Sequence, residues 1–168
     1  MRWPLVSGMA KAKETKVYVL KVALTDAKRI WRRIAIRGDQ TLGTLHEAIF
    51  QAFDRYDPHL YSFYFPRPGS RGRERLRDAA EYTHPYVLED HTFGGRGLHD
   101  AEATKIGELR LEKGQSFDYL FDFGDSWEHL ITVEETDGAV ERGRYPRIVE
   151  KRGESPPQYP ELDEDEEE

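Results

Sequence analysis

Between Asp122 and His129 the chain reads Asp-Phe-Gly-Asp-Ser-Trp-Glu-His, which places three carboxylates and one imidazole within eight residues. Carboxylate oxygens and imidazole nitrogens ligate hard and borderline divalent cations, and the same groups move protons. Asp122, Asp125, Glu128 and His129 are therefore the candidate functional set, as a metal site or a proton-transfer centre. The segment also has a purely structural explanation. Gly124 suits the positive φ of a tight hairpin turn, Asp125 and Ser126 are residues that bond neighbouring amides in turns, and Phe123 and Trp127 can be core. No known ligand spacing is matched.

Two further histidines could join the turn. His46 follows Leu45 on a helical segment, off its apolar stripe, and His59 opens a strand after Asp57-Pro58. A composite site forms only if the fold brings them to the turn. A second constellation is basic: Arg29, Arg32, Arg33 and Arg37, with Arg71 and Arg73 among the five arginines of residues 67–77. Interleaved with Trp31, Tyr61 and Tyr64, they offer the charge and stacking surfaces that single-stranded nucleic acid needs. The competing reading is an ion-paired sheet face and a mobile arginine loop.

Familiar enzyme classes are excluded one by one. The chain has no cysteine, hence no thiolate nucleophile, disulfide or cysteine metal site. Ser7, Ser62, Ser70, Ser116, Ser126 and Ser155 show no nucleophile elbow or base-paired motif. Neither a phosphate-cradling Gly-Lys-Ser/Thr loop nor a dinucleotide glycine fingerprint occurs. The expectation is a chain that is not an enzyme and needs no cofactor; a divalent metal at the turn is the one the residues would admit.

The elements that must position these groups follow from periodicity. Lys16–Thr25 is apolar on both faces apart from Lys21, as in a central strand. After a turn at 26–29, Ile30–Arg37 forms a second strand, with Ile30, Arg32, Ile34 and Ile36 on one face and Trp31, Arg33, Ala35 and Arg37 on a basic outer face. Thr41 can N-cap a helix whose stripe is Leu42, Leu45, Ile49, Ala52 and Phe53, ending near Asp54 ahead of Asp57-Pro58. His59–Phe65 is an aromatic third strand.

Residues 66–103 show no period and predict a long irregular loop, with short strands admissible near Tyr86–Leu88. Thr104–Leu111 reads as a helical turn. Ser116–Phe123 and Trp127–Glu135 make a second, aromatic hairpin, and Tyr145–Val149 can return to the sheet. The fold class is α+β: a β-grasp-like hairpin–helix–strand opening joined to the aromatic β-hairpin in one mixed or antiparallel sheet. Trp31, Leu45, Ile49, Phe53, Phe63, Phe121 and Trp127 are the expected core.

A length of 168 residues fits one domain, at residues 16–150, between a flexible leader (1–15, with Met9 as a candidate start) and a Pro-rich, acidic, disordered tail (151–168). Of the net charge of −7, the last eight residues carry seven acids and no base; the remaining chain has 25 acidic and 25 basic residues. A neutral body speaks against a dedicated nucleic-acid domain, which is usually basic overall. With no signal-peptide pattern and no apolar run of about 18 residues, the chain is expected to be cytoplasmic and without a membrane partner.

Three segments carry a resemblance: Ile30–Ile34 (IWRRI), Thr41–Phe63 (TLGTLHEAIFQAFDRYDPHLYSF) and Tyr119–His129 (YLFDFGDSWEH). Together they resemble the Ri-plasmid ORF-3-like family, also known as the passenger TnpR proteins of insertion elements. The resemblance implies an α+β fold and no agreed activity. Family members often continue with a Cys-Pro-Pro-Glu-Asp-type segment and paired glycines; here the stretch reads Gly153-Glu154-Ser155-Pro156-Pro157. The TnpR label implies a resolvase, which the serines above do not support. The functional expectation is a non-catalytic binding or accessory module associated with mobile elements, with a protein or single-stranded nucleic-acid partner. Its rival is a metal-binding domain or metal-dependent hydrolase built on the Asp122–His129 turn.

Overall fold

A computed structural model describes residues 14–89 and 97–160. Eight strands form one mixed sheet: β1 Val17–Leu24, β2 Ala27–Arg37, β3 Tyr61–Phe65, β4 Ala80–Thr83, β5 Leu98–Asp100, β6 Ser116–Phe121, β7 Trp127–Gly138 and β8 Arg147–Arg152. Their order across the sheet is β5-β4-β3-β6-β7-β1-β2-β8. Only β4 and β5 run parallel. The third strand is thus separated from the first hairpin by β6 and β7. Among the described residues no helix is long and apolar enough to cross a membrane.

β1 is apolar on both faces because it is central, flanked by β2 and β7. One face of the sheet is covered by α1, Leu42–Ala52. Thr41 caps it by accepting from the Thr44 amide at 3.2 Å. Two more amides of its first turn donate outside the helix, Leu42 to the Thr104 carbonyl and Gly43 to the Ala101 carbonyl. That docking needs Gly43: a Cβ there would sit 2.7 Å from Glu102 Cγ. The helix ends at Phe53, and Asp54 turns the chain with φ 55°, so termination precedes Asp57-Pro58.

Leu42, Leu45, Ile49 and Phe53 pack on Leu20, Val22, Ile34, Phe117, Tyr119, Phe121 and Ile131 in one core. Of the expected core, Trp31, Leu45, Ile49, Phe53, Phe63 and Phe121 are buried and Trp127 is half-buried. His46 is buried as well, at 8% exposure, in contrast to its place off the apolar stripe. It faces the sheet because α1 lies between β2 and the aromatic strands, which widens the covered face of the helix beyond one stripe.

Of the span 66–103, residues 90–96 lie outside the described residues, and the rest is less irregular than its sequence suggests. It contains a 3-10 turn at Arg73–Leu76, β4, β5 and a short helix α2 at Pro85–Glu89, which takes up the stretch Tyr86–Leu88 where short strands were admissible. Strands of three or four residues are too short to show a period, and they exist by pairing with β3 and with each other. The other boundary shifts are small: β2 begins inside the expected turn, β6 stops at Phe121, and Ile106–Leu109 is the expected helical turn as 3-10.

The larger difference lies after residue 150. The expected tail begins in β8, which pairs with β2 through Arg152, and continues with Ser155 and the buried Gln158 against the body. Residues 161–168, the acidic segment itself, lie outside the described residues.

The anchor of this C-terminal segment is Arg32, 2% exposed on the α1 side of β2. Its Nε donates to the Ala52 carbonyl at 2.8 Å, and Nη1 donates to the Trp31 and Arg152 carbonyls, each at 2.9 Å. Nη2 donates to Ser155 Oγ at 3.1 Å. One side chain thus closes the end of α1 and ties down β8. Arg32→Met is expected to lower stability by about 3 kcal/mol, since several buried carbonyls lose a charged donor at once. Arg33→Met, on the outer face, is expected to cost less than about 1 kcal/mol. Urea denaturation of both variants is the measurement, and equal losses would contradict the role given to Arg32.

Candidate functional site

The Asp122–Ser126 turn is held by its first residue. Asp122 has φ 63°, a conformation Asp tolerates better than most, and its Oδ1 accepts from the Gly124 amide at 3.0 Å. The Asp125 amide approaches the same oxygen at 3.3 Å. Oδ2 is left to face His59, with 3.5 Å to Nε2. On the other side of that nitrogen stands Asp57, whose Oδ2 is 3.3 Å away. The Tyr159 hydroxyl donates to Asp57 Oδ2 at 2.5 Å and lies 2.8 Å from His59 Nε2. With its own O–H directed at Asp57, the phenol oxygen is left to accept from His59 Nε2–H.

Gln158 fixes the loop that carries Asp57. Its Oε1 accepts from the Tyr56 and Asp57 amides at 3.0 Å, and its Nε2 donates to the Asp57 carbonyl at 2.8 Å. The result is a half-exposed corner with two carboxylates, an imidazole and a phenol. The Tyr159 hydrogen bond holds Asp57 below the usual carboxylate range, and the same bond pushes Tyr159 up to about 12.

Beneath the corner lies a sealed tier. His129 is fully buried. Arg55 Nη2 donates to its Nε2 at 2.9 Å, and a guanidinium has no lone pair to offer, so the imidazole proton sits on Nδ1 and points at the Tyr119 carbonyl at 3.2 Å. Burial, then the charge of Arg55, keeps His129 well below its ordinary pKa. Arg55 is itself 7% exposed, and Nη1 has no hydrogen-bond partner among the described residues. Its guanidinium lies 5.0–5.2 Å from the ring centres of Phe53, Phe121 and Trp127. His46 stacks on Tyr61 at 3.7 Å, and its Nδ1 and the Tyr119 hydroxyl share a hydrogen bond of 2.6 Å. Burial pulls His46 down to about 3 and lifts Tyr119 well above an ordinary phenol.

The four turn residues therefore do not meet. Asp122 faces His59, Asp125 and Glu128 are exposed, and both ring nitrogens of His129 are engaged. His59 joins Asp122, whereas His46 joins Tyr119. Among the described residues no three His, Asp or Glu side chains converge closely enough to hold a metal ion. Asp57, Arg55, Tyr119 and Tyr159 complete both tiers. Of these only the inward alternation of Tyr119 was legible; Asp57 reads as part of a helix-ending Asp-Pro pair, and Tyr159 as part of a tail.

The arginines separate as well. Arg32 is sealed; Arg33 is paired with Glu134 and Glu150; Arg37 is paired with Asp39 at 2.9 Å. Trp31, between Lys21 and Arg33 at 4.9 and 4.8 Å, is covered by them. Arg29 and Arg71 are exposed, and the side chain of Arg73 lies outside the described part. A basic concavity lies elsewhere: a cleft of about 640 Å³ between the turns at 66–70 and 110–116, lined by Arg67, Arg110, Lys113 and Glu112. Arg75, also at its wall, is taken up by Asp118.

The family model of plasmid pRiA4b ORF-3-like proteins matches residues 16–159. The chain belongs to this family. The match runs through β8 to Tyr159, so the ordered C-terminal segment is part of the shared sequence. The uncharacterized protein y4hQ of Sinorhizobium fredii, a relative, is 31% identical over 140 residues, 83% of this chain and 63% of that protein. The chain therefore spans less than two thirds of that relative's length. The crystal structure of MM3350, a protein of unknown function from Methanosarcina mazei Go1, shares the fold with a TM-score of 0.67 and 24% identity, covering 87% of this chain and 74% of that one.

The buried histidine generates a pH dependence. A folded-state pKa of about 3 for His46 lies below the value of about 6.5 it has when unfolded. Between these values the unfolded chain binds more protons, so stability falls as pH falls, by about 1.4 kcal/mol per pH unit for this one group. His46→Phe is expected to flatten the stability–pH curve by about one proton between pH 4 and 6, read by denaturation across that range. An unchanged slope would contradict a neutral buried His46.

Proposed function

We propose that this family member is a non-catalytic binding module for an anionic partner, single-stranded nucleic acid first, taken up in the cleft between residues 66–70 and 110–116. The observation that carries the reading is the distribution of positive charge. Arg32, Arg33 and Arg37 of β2 are used internally, whereas Arg67, Arg110 and Lys113 line one cleft with no ion-pair partner among the described residues and a single acid, Glu112, beside them. Arg71 borders the same turn and adds to its field. Glycines with positive φ at Gly69 and Gly114 let both rims turn tightly, which narrows the cleft around the backbone of a strand. An accessory role on mobile DNA is in keeping with the plasmid in the family's description.

The non-catalytic part of the reading is supported by the sealed tier. His46, His129 and Arg55 are spent on one another and on Tyr119, and none is open to a substrate. Fluorescence anisotropy with a labelled single-stranded oligonucleotide tests the proposal. Binding is expected to weaken with salt, with a slope of about −0.7 per neutralised phosphate. The combined change of Arg67, Arg110 and Lys113 to Ala is expected to weaken it about tenfold or more at low salt, whereas Arg37→Ala leaves it within about twofold. Binding that ignores salt or the triple substitution would remove the nucleic-acid reading.

A second reading has one observation of its own. His59 Nε2 has carboxylate oxygens of Asp57 and Asp122 at 3.3 and 3.5 Å; the three do not converge as a ligand set in this arrangement, so a divalent cation would have to draw them together in place of the expected set of the turn. Calorimetry with zinc and manganese distinguishes it: a metal-induced rise in melting temperature of the native chain that Asp122→Asn abolishes would favour this reading over the first.

A further inference from the structure

We infer that the free edge of β8 and the groove beside it form a docking site for an acidic, extended segment of a partner protein. β8 is the last strand of the sheet and, among the described residues, pairs only with β2, so its outer edge offers backbone groups that no described strand takes up. Ile148 lies opposite Ile34, a fully buried residue on the α1 side, and so faces the same side. There it lines a groove of about 410 Å³ whose far wall is the outer face of α1, with Thr44, Glu47, Ala48 and Gln51 opposite Arg144, Tyr145, Arg147 and Ile148, so that one acid stands against two arginines inside it. An open edge strand running beside a helix, with a groove between them, is the geometry that takes up a peptide as an added strand. Main-chain bonds then run along the edge, and every second side chain enters the groove.

The simpler alternative is an edge that is only protected. β8 does carry the protective features: a register shift at Val149 and a high density of charge. Yet Ile148 and Val149 stay 46% and 50% exposed in the middle of the strand. The sign of the charge decides what such an edge admits. Arg144, Arg147, Lys151 and Arg152 lie on or next to β8, while its one acid, Glu150, is paired with Arg33. Arg147 keeps one weak acidic contact, Glu141 at 3.4 Å. Like charges set opposite each other on neighbouring strands repel, so this edge disfavours a second copy of itself and favours an acidic strand with alternating apolar residues.

The test uses the full chain and two synthetic peptides, Glu-Val-Glu-Val-Glu-Val-Glu and its lysine counterpart. In amide NMR titrations the acidic peptide is expected to shift Arg147–Arg152 together with Thr44, Ala48 and Gln51, and to slow exchange of β8 amides. The lysine peptide is expected to bind about tenfold more weakly or worse. Lys151→Glu combined with Arg152→Glu is expected to reverse the preference, with both side chains on the surface so that the fold is retained. Ile148→Asp is expected to abolish binding of the acidic peptide. Equal affinities for the two peptides would overturn the inference. So would shifts confined to the 66–70 and 110–116 turns, or a concentration-dependent dimer whose contact shifts map to β8.

Discussion

Arg32 sits where three parts of the chain have unmet acceptors: the end of α1, the backbone of β2, and the segment leaving β8. A helix terminus leaves carbonyls without partners, and burying one against a sheet is costly unless a donor reaches it. A guanidinium with its planar fork can serve several at once, and it does so here with no ion-pair partner among the described residues. This constraint propagates. Because Ser155 and Arg152 are drawn to Arg32, Gln158 and Tyr159 arrive beside Asp57, and only then does His59 acquire its phenol partner. The half-exposed corner is thus a consequence of how the helix end is closed.

A second buried cation lies one ring away. Phe53 stands between the guanidiniums of Arg32 and Arg55, 5.0 Å from one and 5.2 Å from the other. The two are solvated differently. Arg32 is surrounded by oxygen; Arg55 by three aromatic faces and the lone pair of His129. Burying an arginine with an unpartnered nitrogen is tolerable only where polarizable π faces replace part of the lost water. The arrangement also requires His129 to be neutral, since an imidazolium would turn an accepting nitrogen toward a cation. Aromatic residues on β6 and the end of α1 therefore have an electrostatic duty beyond filling volume.

The sequence disclosed what repeats. The two-sided apolar strand within Lys16–Thr25, the alternation of Ser116–Phe121, the helical stripe from Leu42 to Phe53 and the cap at Thr41 all appear where their patterns place them. It concealed what depends on distant partners. β4 and β5 have three or four residues each and exist through pairing; β8 is polar enough to read as linker and is held by Arg32 and β2. The strand order is a matter of which hairpin meets which, so β7 rather than β3 beside β1 has no local signal.

The same distinction explains the site. A run such as Asp122–His129 concentrates chemistry-bearing residues along the chain, but a hairpin sends alternate residues to opposite faces and so disperses them. Asp122 turns toward His59, Glu128 toward solvent, and His129 into the core, two faces apart within seven steps. Groups that do meet, Asp57, His59, Asp122 and Tyr159, are separated by up to 102 residues in sequence and are joined by loop ends. For the arginines the dispersal is energetic: each one near a carboxylate or a buried carbonyl is used there, as Arg33 and Arg32 are. What stays available for a partner is the charge that the fold had no use for, and in this domain that lies on the turns around the basic cleft and along β8.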